Sequence, residues 1–217
     1  MVAREYGSGA QTAQGPTEAA ALGASRSMWI GTGVASVASG MLLLAGHVFD
    51  LGGHPKYGTV LGQSLVLVAH LALVFALIGL YAAQAPRSGL LGTLGMVLSV
   101  LSTALVSGVV LVEIAGAAGV EVDMVLAGGV AGMLTTFAGL GFFVGLILFC
   151  ITTFRTGIFP RLASVVLLAG DLVFAASTGA GPSAQVVTIA GAALTCAGFV
   201  WLGLALIAQT RNNTLGV

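Results

Sequence analysis

Charge is what this sequence has least of. Seven Lys and Arg and seven Asp and Glu are all that 217 residues carry, 6% of the chain against 58% hydrophobic. Soluble domains hold roughly a quarter charged residues, because a charged surface keeps them in water. A chain this poor in charge cannot cover a water-facing surface, so its solvent is the lipid bilayer. The net charge of zero leaves no basic patch to displace counterions from phosphates, which excludes a nucleic-acid partner.

Other scarcities exclude other functions. Lysine occurs once, at Lys56 between two apolar runs, so no span offers the Schiff base a retinal protein needs. The two cysteines, Cys150 and Cys196, sit at different depths of apolar runs and form neither a structural disulfide nor a CxxCH haem attachment. A haem held by two histidines is disfavoured by a depth difference of roughly 12 Å between His47 and His70 at 1.5 Å per residue. There is no P-loop, no GxSxG and no HExxH. A single mid-membrane carboxylate argues against an aspartyl protease, and the sparse polar lining argues against a wide channel. No catalytic residue and no cofactor is assigned. Lysine scarcity beside 33 glycines suggests a high-GC prokaryotic genome.

What remains is apolar sequence, long enough to cross a bilayer six times at roughly 20 residues per crossing. The predicted spans are Met28 to Phe49, Thr59 to Ala83, Gly89 to Ala115, Gly128 to Thr153, Arg161 to Thr178 and Ala184 to Ala208. The expected fold is therefore an all-α transmembrane bundle over residues 28–209. A disordered tail is expected over 1–27, which lacks the apolar core of a signal peptide, and a short tail over 210–217. Pro55, Pro86, Pro160 and Pro182 fall in the gaps before spans, where a missing N–H costs little. Arg4, Arg26, Arg87, Arg155, Arg161 and Arg211 share one side and only Lys56 takes the other, so both termini are expected in the cytoplasm, at the cell membrane. A faint repeat aligns Arg87-Ser88-Gly89 with Arg155-Thr156-Gly157, 68 residues on.

Lipid tails give helices no hydrophobic reward for associating, so small residues that permit close approach supply it. Gly95, Ser99, Thr103 and Ser107 form such a ridge on the third span. Gly128/Gly132 and Gly141/Gly145 do so on the fourth, and Ser36/Gly40 on the first. These predict contacts within the chain, with a second copy of it, or with another membrane protein.

Ionisable residues inside spans are costly and need a reason. His47, His70, Glu113 and Asp171 qualify, with Asp50 and His54 just outside. By depth, His47, Asp50, His54 and Glu113 group near the outer interface. That set could bind a divalent zinc-like metal ion, accept protons, or simply tie spans together by hydrogen bonds. His70 and Asp171 lie deeper, as a proton relay or solute-binding pair, or as two groups separately satisfied by neighbouring hydroxyls and carbonyls. Three functions stay open. One is a non-catalytic membrane subunit or scaffold packed through its small-residue faces. The second is a small-solute or proton-coupled carrier using His70 and Asp171. The third is an intramembrane metal-dependent enzyme using His47, His54 and Glu113.

From His47 to Glu113 the chain runs through an apolar span ending in His, the His54-Pro55 loop, a span with a central His70 and the ending Gly79-Leu80-Tyr81. A Gly-rich span with a Glu near its outer end follows. This third of the chain resembles a loose group of uncharacterised multi-pass membrane proteins of bacteria and archaea, and the resemblance implies no particular activity.

Overall fold

The computed structural model describes residues 16–212, and every regular element among them is helical. Helix α1 runs over Pro16–Phe49, α2 over Val60–Ala117, α3 over Asp123–Ala127, α4 over Gly129–Thr156, α5 over Arg161–Ala176 and α6 over Ala184–Arg211. Two 3₁₀ turns, Ser177–Gly179 and Gly181–Ser183, link α5 to α6. Five helices are long and apolar enough to cross a membrane, which makes this a membrane protein with a multi-pass helical bundle. The disordered segment expected over 1–27 lies outside the described residues at 1–15, while 16–27 form the start of α1. Of the expected C-terminal tail, 213–217 lie outside the described residues as well.

The borders follow local chemistry. Thr59 caps α2, its hydroxyl accepting from Gly62 N at 2.9 Å, and Gly157 ends α4 in the left-handed conformation at φ 64°. Pro160 precedes α5 and Pro182 lies in the second 3₁₀ turn, in gaps as expected. Pro86 does not fit that reading: helix α2 continues through it. The break comes three residues later at Gly89, with φ 58° and ψ −165°, a conformation that favours a residue without a Cβ. Beyond Gly89 the helix doubles back, since the Tyr81 hydroxyl lies 2.8 Å from Thr93 Oγ1. Twelve residues of straight helix would separate them by about 18 Å. Helix α2 is thus a hairpin of two arms, 60–88 and 90–117.

Close approaches of backbone define the packing. Gly79 faces Thr32, Gly33 faces Ile207, and Gly198 faces Leu167, so α1 lies between the first arm of α2 and α6, and α6 packs on α5. The second arm of α2 meets α4 through the small residues picked out above. A Cβ on Gly145 would stand 2.5 Å from Ser99 N, and one on Gly95 2.9 Å from Phe149 N. Gly141 faces the Ser102 hydroxyl, while Thr103 and Ser107 on the same arm are buried. Ser36 is fully buried and donates to Phe199 O at 2.8 Å, and Gly40 packs on Cys196. The Gly128/Gly132 pair behaves differently. It marks the junction of α3 and α4, where Gly132 N bonds Gly128 O and the nearest atoms to the pair belong to Met124 and Ala127 of α3, so it packs the short helix on α4 rather than one long helix on another.

The end of the bundle bearing Gly89 and Gly157 is called here the turn end, and the opposite end, bearing 50–59 and 118–128, the loop end. The main apolar core fills the turn-end half: Leu77, Leu80, Leu146, Phe149, Leu167, Phe199, Leu202 and Leu206 are all nearly or fully buried. Only a small cluster of Leu43, Val66, Ala69 and Val110 serves the other half. Outward-facing apolar side chains such as Phe75 and Leu140 present the surface a lipid-facing bundle requires.

Candidate functional site

The loop-end half holds a cavity of about 340 Å³ walled by α1, both arms of α2, α4, α5 and α6. All four ionisable residues of the spans, His47, His70, Glu113 and Asp171, line it. The volume lies at the lower end of the range for small-molecule sites, roughly 300–1,000 Å³. The sequence groups these residues by depth into an outer set and a deeper pair. The structure instead gathers two members of the outer set with both of the deeper pair.

Each wall side chain has a distinct status. Asp171 is 2% exposed, and neither of its oxygens has a hydrogen-bond partner. His70 is buried, with Nδ1 2.8 Å from Val66 O one turn back, which leaves Nε2 as its free ring nitrogen. His47 Nε2 is buried without a partner. Three phenylalanines connect the imidazoles. The His47 ring centroid lies 5.1 Å from Phe174, Phe174 lies 6.3 Å from Phe143, Phe143 lies 6.1 Å from Phe142, and Phe142 lies 5.9 Å from His70. The cavity thus has an aromatic arc together with two carboxylates, Glu113 and Asp171.

Asp50 and His54 stay outside, each held by the first loop. Asp50 Oδ1 accepts from Thr59 N at 2.7 Å and its Oδ2 from Gln63 Nε2 at 3.1 Å. Burial raises the Asp50 carboxyl above its ordinary range, and the hydrogen bonds from Thr59 pull it back. His54 pairs its backbone with Gly58 at 2.7 and 2.8 Å, accepts at Nδ1 from Lys56 N and Tyr57 N, and stacks on Tyr57 at 5.1 Å. The expected metal set of His47, Asp50, His54 and Glu113 is therefore divided. Among the described residues no three His, Cys, Asp or Glu side chains come together to hold a metal ion. Loop amides take both side chains: that of Thr59 bonds the Asp50 carboxylate, as short acidic side chains near turns commonly do, and those of Lys56 and Tyr57 bond the His54 ring.

The loop is also fastened across the bundle. Lys56 Nζ and the Tyr57 hydroxyl both donate to Asp123 Oδ1 of α3, and the Tyr57 ring is buried against Gly116, one turn beyond Glu113. These bonds hold the Asp123 carboxyl below its ordinary range and the Lys56 ammonium above its own.

Sequence reasoning missed Gln63 and the aromatic arc. Gln63 lines the cavity and bonds Asp50, which joins the loop to the site. It stands seven residues before His70, two turns along the same helical face, and that spacing was its available signal. The phenylalanines carry no such mark in an apolar span. Comparison with protein-family models, curated proteins and solved structures finds no match to this chain.

Proposed function

We propose that this chain is a small carrier of the cytoplasmic membrane that binds a compact organic cation in the cavity between His47, His70, Glu113 and Asp171. The observation that carries the reading is Asp171: a carboxylate 2% exposed, without one hydrogen-bond donor, in the wall of a cavity. A buried carboxylate lacking donors is expensive in a purely structural role. A bound cation would supply the missing counter-charge, with N–H donors where its nitrogen bears hydrogen, and the arc of Phe142, Phe143 and Phe174 suits a cation through its ring faces. His47 and His70, whose side-chain type exchanges protons near neutral pH, provide for exchange of the cation against protons.

The reading takes the two arms of α2 as separate crossings, six in all. A continuous 58-residue helix would be about 87 Å long, against a hydrocarbon core of about 30 Å. Both termini are then cytoplasmic, with Arg26, Arg87, Arg155, Arg161 and Arg211 on the inner side and the cavity in the outer half.

The scaffold reading draws on the small-residue ridges. Those of Gly95, Ser99, Gly141 and Gly145 are occupied within the chain, so they do not of themselves call for a partner.

Uptake of radiolabelled methylammonium and choline into proteoliposomes under a pH gradient tests the proposal. Wild type should show saturable uptake, and Asp171→Asn at least about ten-fold less, the equivalent of one lost charged contact, with an unchanged melting temperature. No uptake by wild type above empty vesicles, or equal uptake by Asp171→Asn, overturns the carrier reading and favours the scaffold.

A further inference from the structure

We infer that the turn end of the bundle carries a second site, independent of the cavity, that binds a phosphate group in the recess between the Gly89 and Gly157 turns. The recess measures about 330 Å³, and Arg87, Gly89, Leu91, Thr152 and Arg155 are among the residues that line it.

Its chemistry is one-sided. Arg87 and Arg155 come from successive turns to one recess, and among the described residues neither has a carboxylate partner. The one ion pair among the described residues, Lys56 with Asp123, is at the loop end, as are Asp50, Glu113, Glu121 and Asp171. Guanidinium groups match phosphate oxygens through paired N–H donors. The break at Gly89 adds a second source of positive potential. The arm that begins at Leu90 brings the positive end of its dipole and its first-turn amides to the recess. A Cβ on Gly89 would meet nothing within 4 Å, so the backbone there is open to a ligand.

The third observation is Thr152. It is 3% exposed, lines the recess, and its Oγ1 has no hydrogen-bond partner. Elsewhere in these helices the hydroxyls of Ser107, Thr135, Thr136 and Thr210 all bond the carbonyl four residues back, the ordinary way to satisfy such a group in lipid. Thr152 does not, nor do Ser99, Ser102 and Thr103; of these four buried, unpartnered hydroxyls Thr152 is the one that lines the recess, where it is a donor for a phosphate oxygen. The neighbouring Thr156 hydroxyl is engaged by Gln84 Oε1 at 3.1 Å and is not available in the same way.

The phosphate could come from an anionic phospholipid headgroup or from free phosphate, and the chemistry recognised is shared. Basic pockets between helices on the inner side of a membrane bind lipid headgroups in this manner, and the Leu90 side chain at the rim, 74% exposed, offers an acyl chain a surface.

Native mass spectrometry of the full chain in detergent provides the test, with phosphatidic acid, phosphatidylcholine and inorganic phosphate as probes. Wild type should retain phosphatidic acid over phosphatidylcholine. Affinity should fall about ten-fold in Thr152→Val, for one hydrogen bond to a charged group, and further in Arg87→Gln/Arg155→Gln. Arg211→Gln should bind as wild type. Displacement of the lipid by millimolar inorganic phosphate identifies free phosphate as sufficient, and retention identifies the lipid as the ligand; either supports the site. Equal binding by Thr152→Val and wild type, or an equal loss in Arg211→Gln, overturns it. Thr152→Val nearly preserves shape, so it decides the matter even if the double variant does not fold.

Discussion

The two halves of this bundle are built from the same six helical arms and filled in opposite ways. Toward the turn end, Leu77, Leu146, Leu167 and Leu202 fill the interior, fully buried, and the charges lining the recess at that end are Arg87 and Arg155. Toward the loop end, the interior is a cavity, and its walls carry two imidazoles and two carboxylates. Composition cannot account for this, since each of the six long arms contributes to both halves. Position along each helix does. His70 and Leu77 share one face of α2 two turns apart, as do Asp171 and Leu167 on α5 at one turn. The filled half fixes the helices, and the hollow half uses that rigidity to hold polar groups that would otherwise close on one another.

The severest way to break this division is to separate the helices at the seam that serves both halves. Gly145 sits near the middle of α4, where a Cβ would stand 2.5 Å from Ser99 N, a backbone atom that cannot rotate away. Gly145→Ala should therefore destabilise the protein by roughly 1–3 kcal/mol, the usual cost of overpacking. It should also perturb cation uptake and phosphatidic acid binding together, because α4 walls both sites. Gly108→Ala, where nothing lies within 4 Å, is the matched control and should be neutral or slightly stabilising. Thermal unfolding in detergent reads both. Equal melting temperatures for the two variants would mean that the seam does not hold the halves in register.

The sequence makes part of this division legible. Rare ionisable residues in apolar runs pick out His47, His70, Glu113 and Asp171, all four of which line the cavity. Pro160 and Pro182 mark the approaches to α5 and α6, and the second span is expected to begin at Thr59, which caps α2. Depth counting fails at two points. It assigns Asp50 and His54 to an outer cluster, although the Thr59 amide binds Asp50 and the Lys56 and Tyr57 amides bind the His54 ring. It also separates His70 from His47, because helices apolar on every face give no periodic sign of their rotation, and rotation decides which side chains share a cavity. Pro86 misleads in the same region, since a proline near a helix end can be carried through the last turn before a glycine breaks it.

A smaller perturbation tests how the hollow half keeps its shape without a packed core. Asp50 accepts from Thr59 N and from Gln63 Nε2, and Gln63 lines the cavity. Asp50→Ala should cost about 1–2 kcal/mol, as loss of a carboxylate that satisfies a helix start does. Gln63 would be released, and the Michaelis constant for cation uptake should rise while phosphatidic acid binding stays constant. A parallel loss of both would show that the halves are not independent at this level.

The weakest expected effect concerns the fastening of Lys56 and Tyr57 to Asp123. The Asp123 carboxyl is held below its ordinary range, so its contribution is complete above the usual aspartate value of about 3.9 and is lost as pH falls through its lowered value. The Lys56 ammonium is held above its ordinary range, so its contribution is complete below about 10.4 and is lost as pH rises through the raised value. Between those limits the fastening should be constant with pH. Both charged side chains are more than half exposed, and salt screens such pairs. Hydrogen exchange of the His54 and Gly58 amides, which bond each other's carbonyls, corrected for intrinsic rates, should therefore be level from about pH 5 to 9. It should accelerate in Asp123→Asn and, to a lesser extent, in molar salt. Equal exchange in Asp123→Asn and wild type would show that the fastening to Asp123 does not hold the loop, and that the turn's own backbone pairing between His54 and Gly58 suffices.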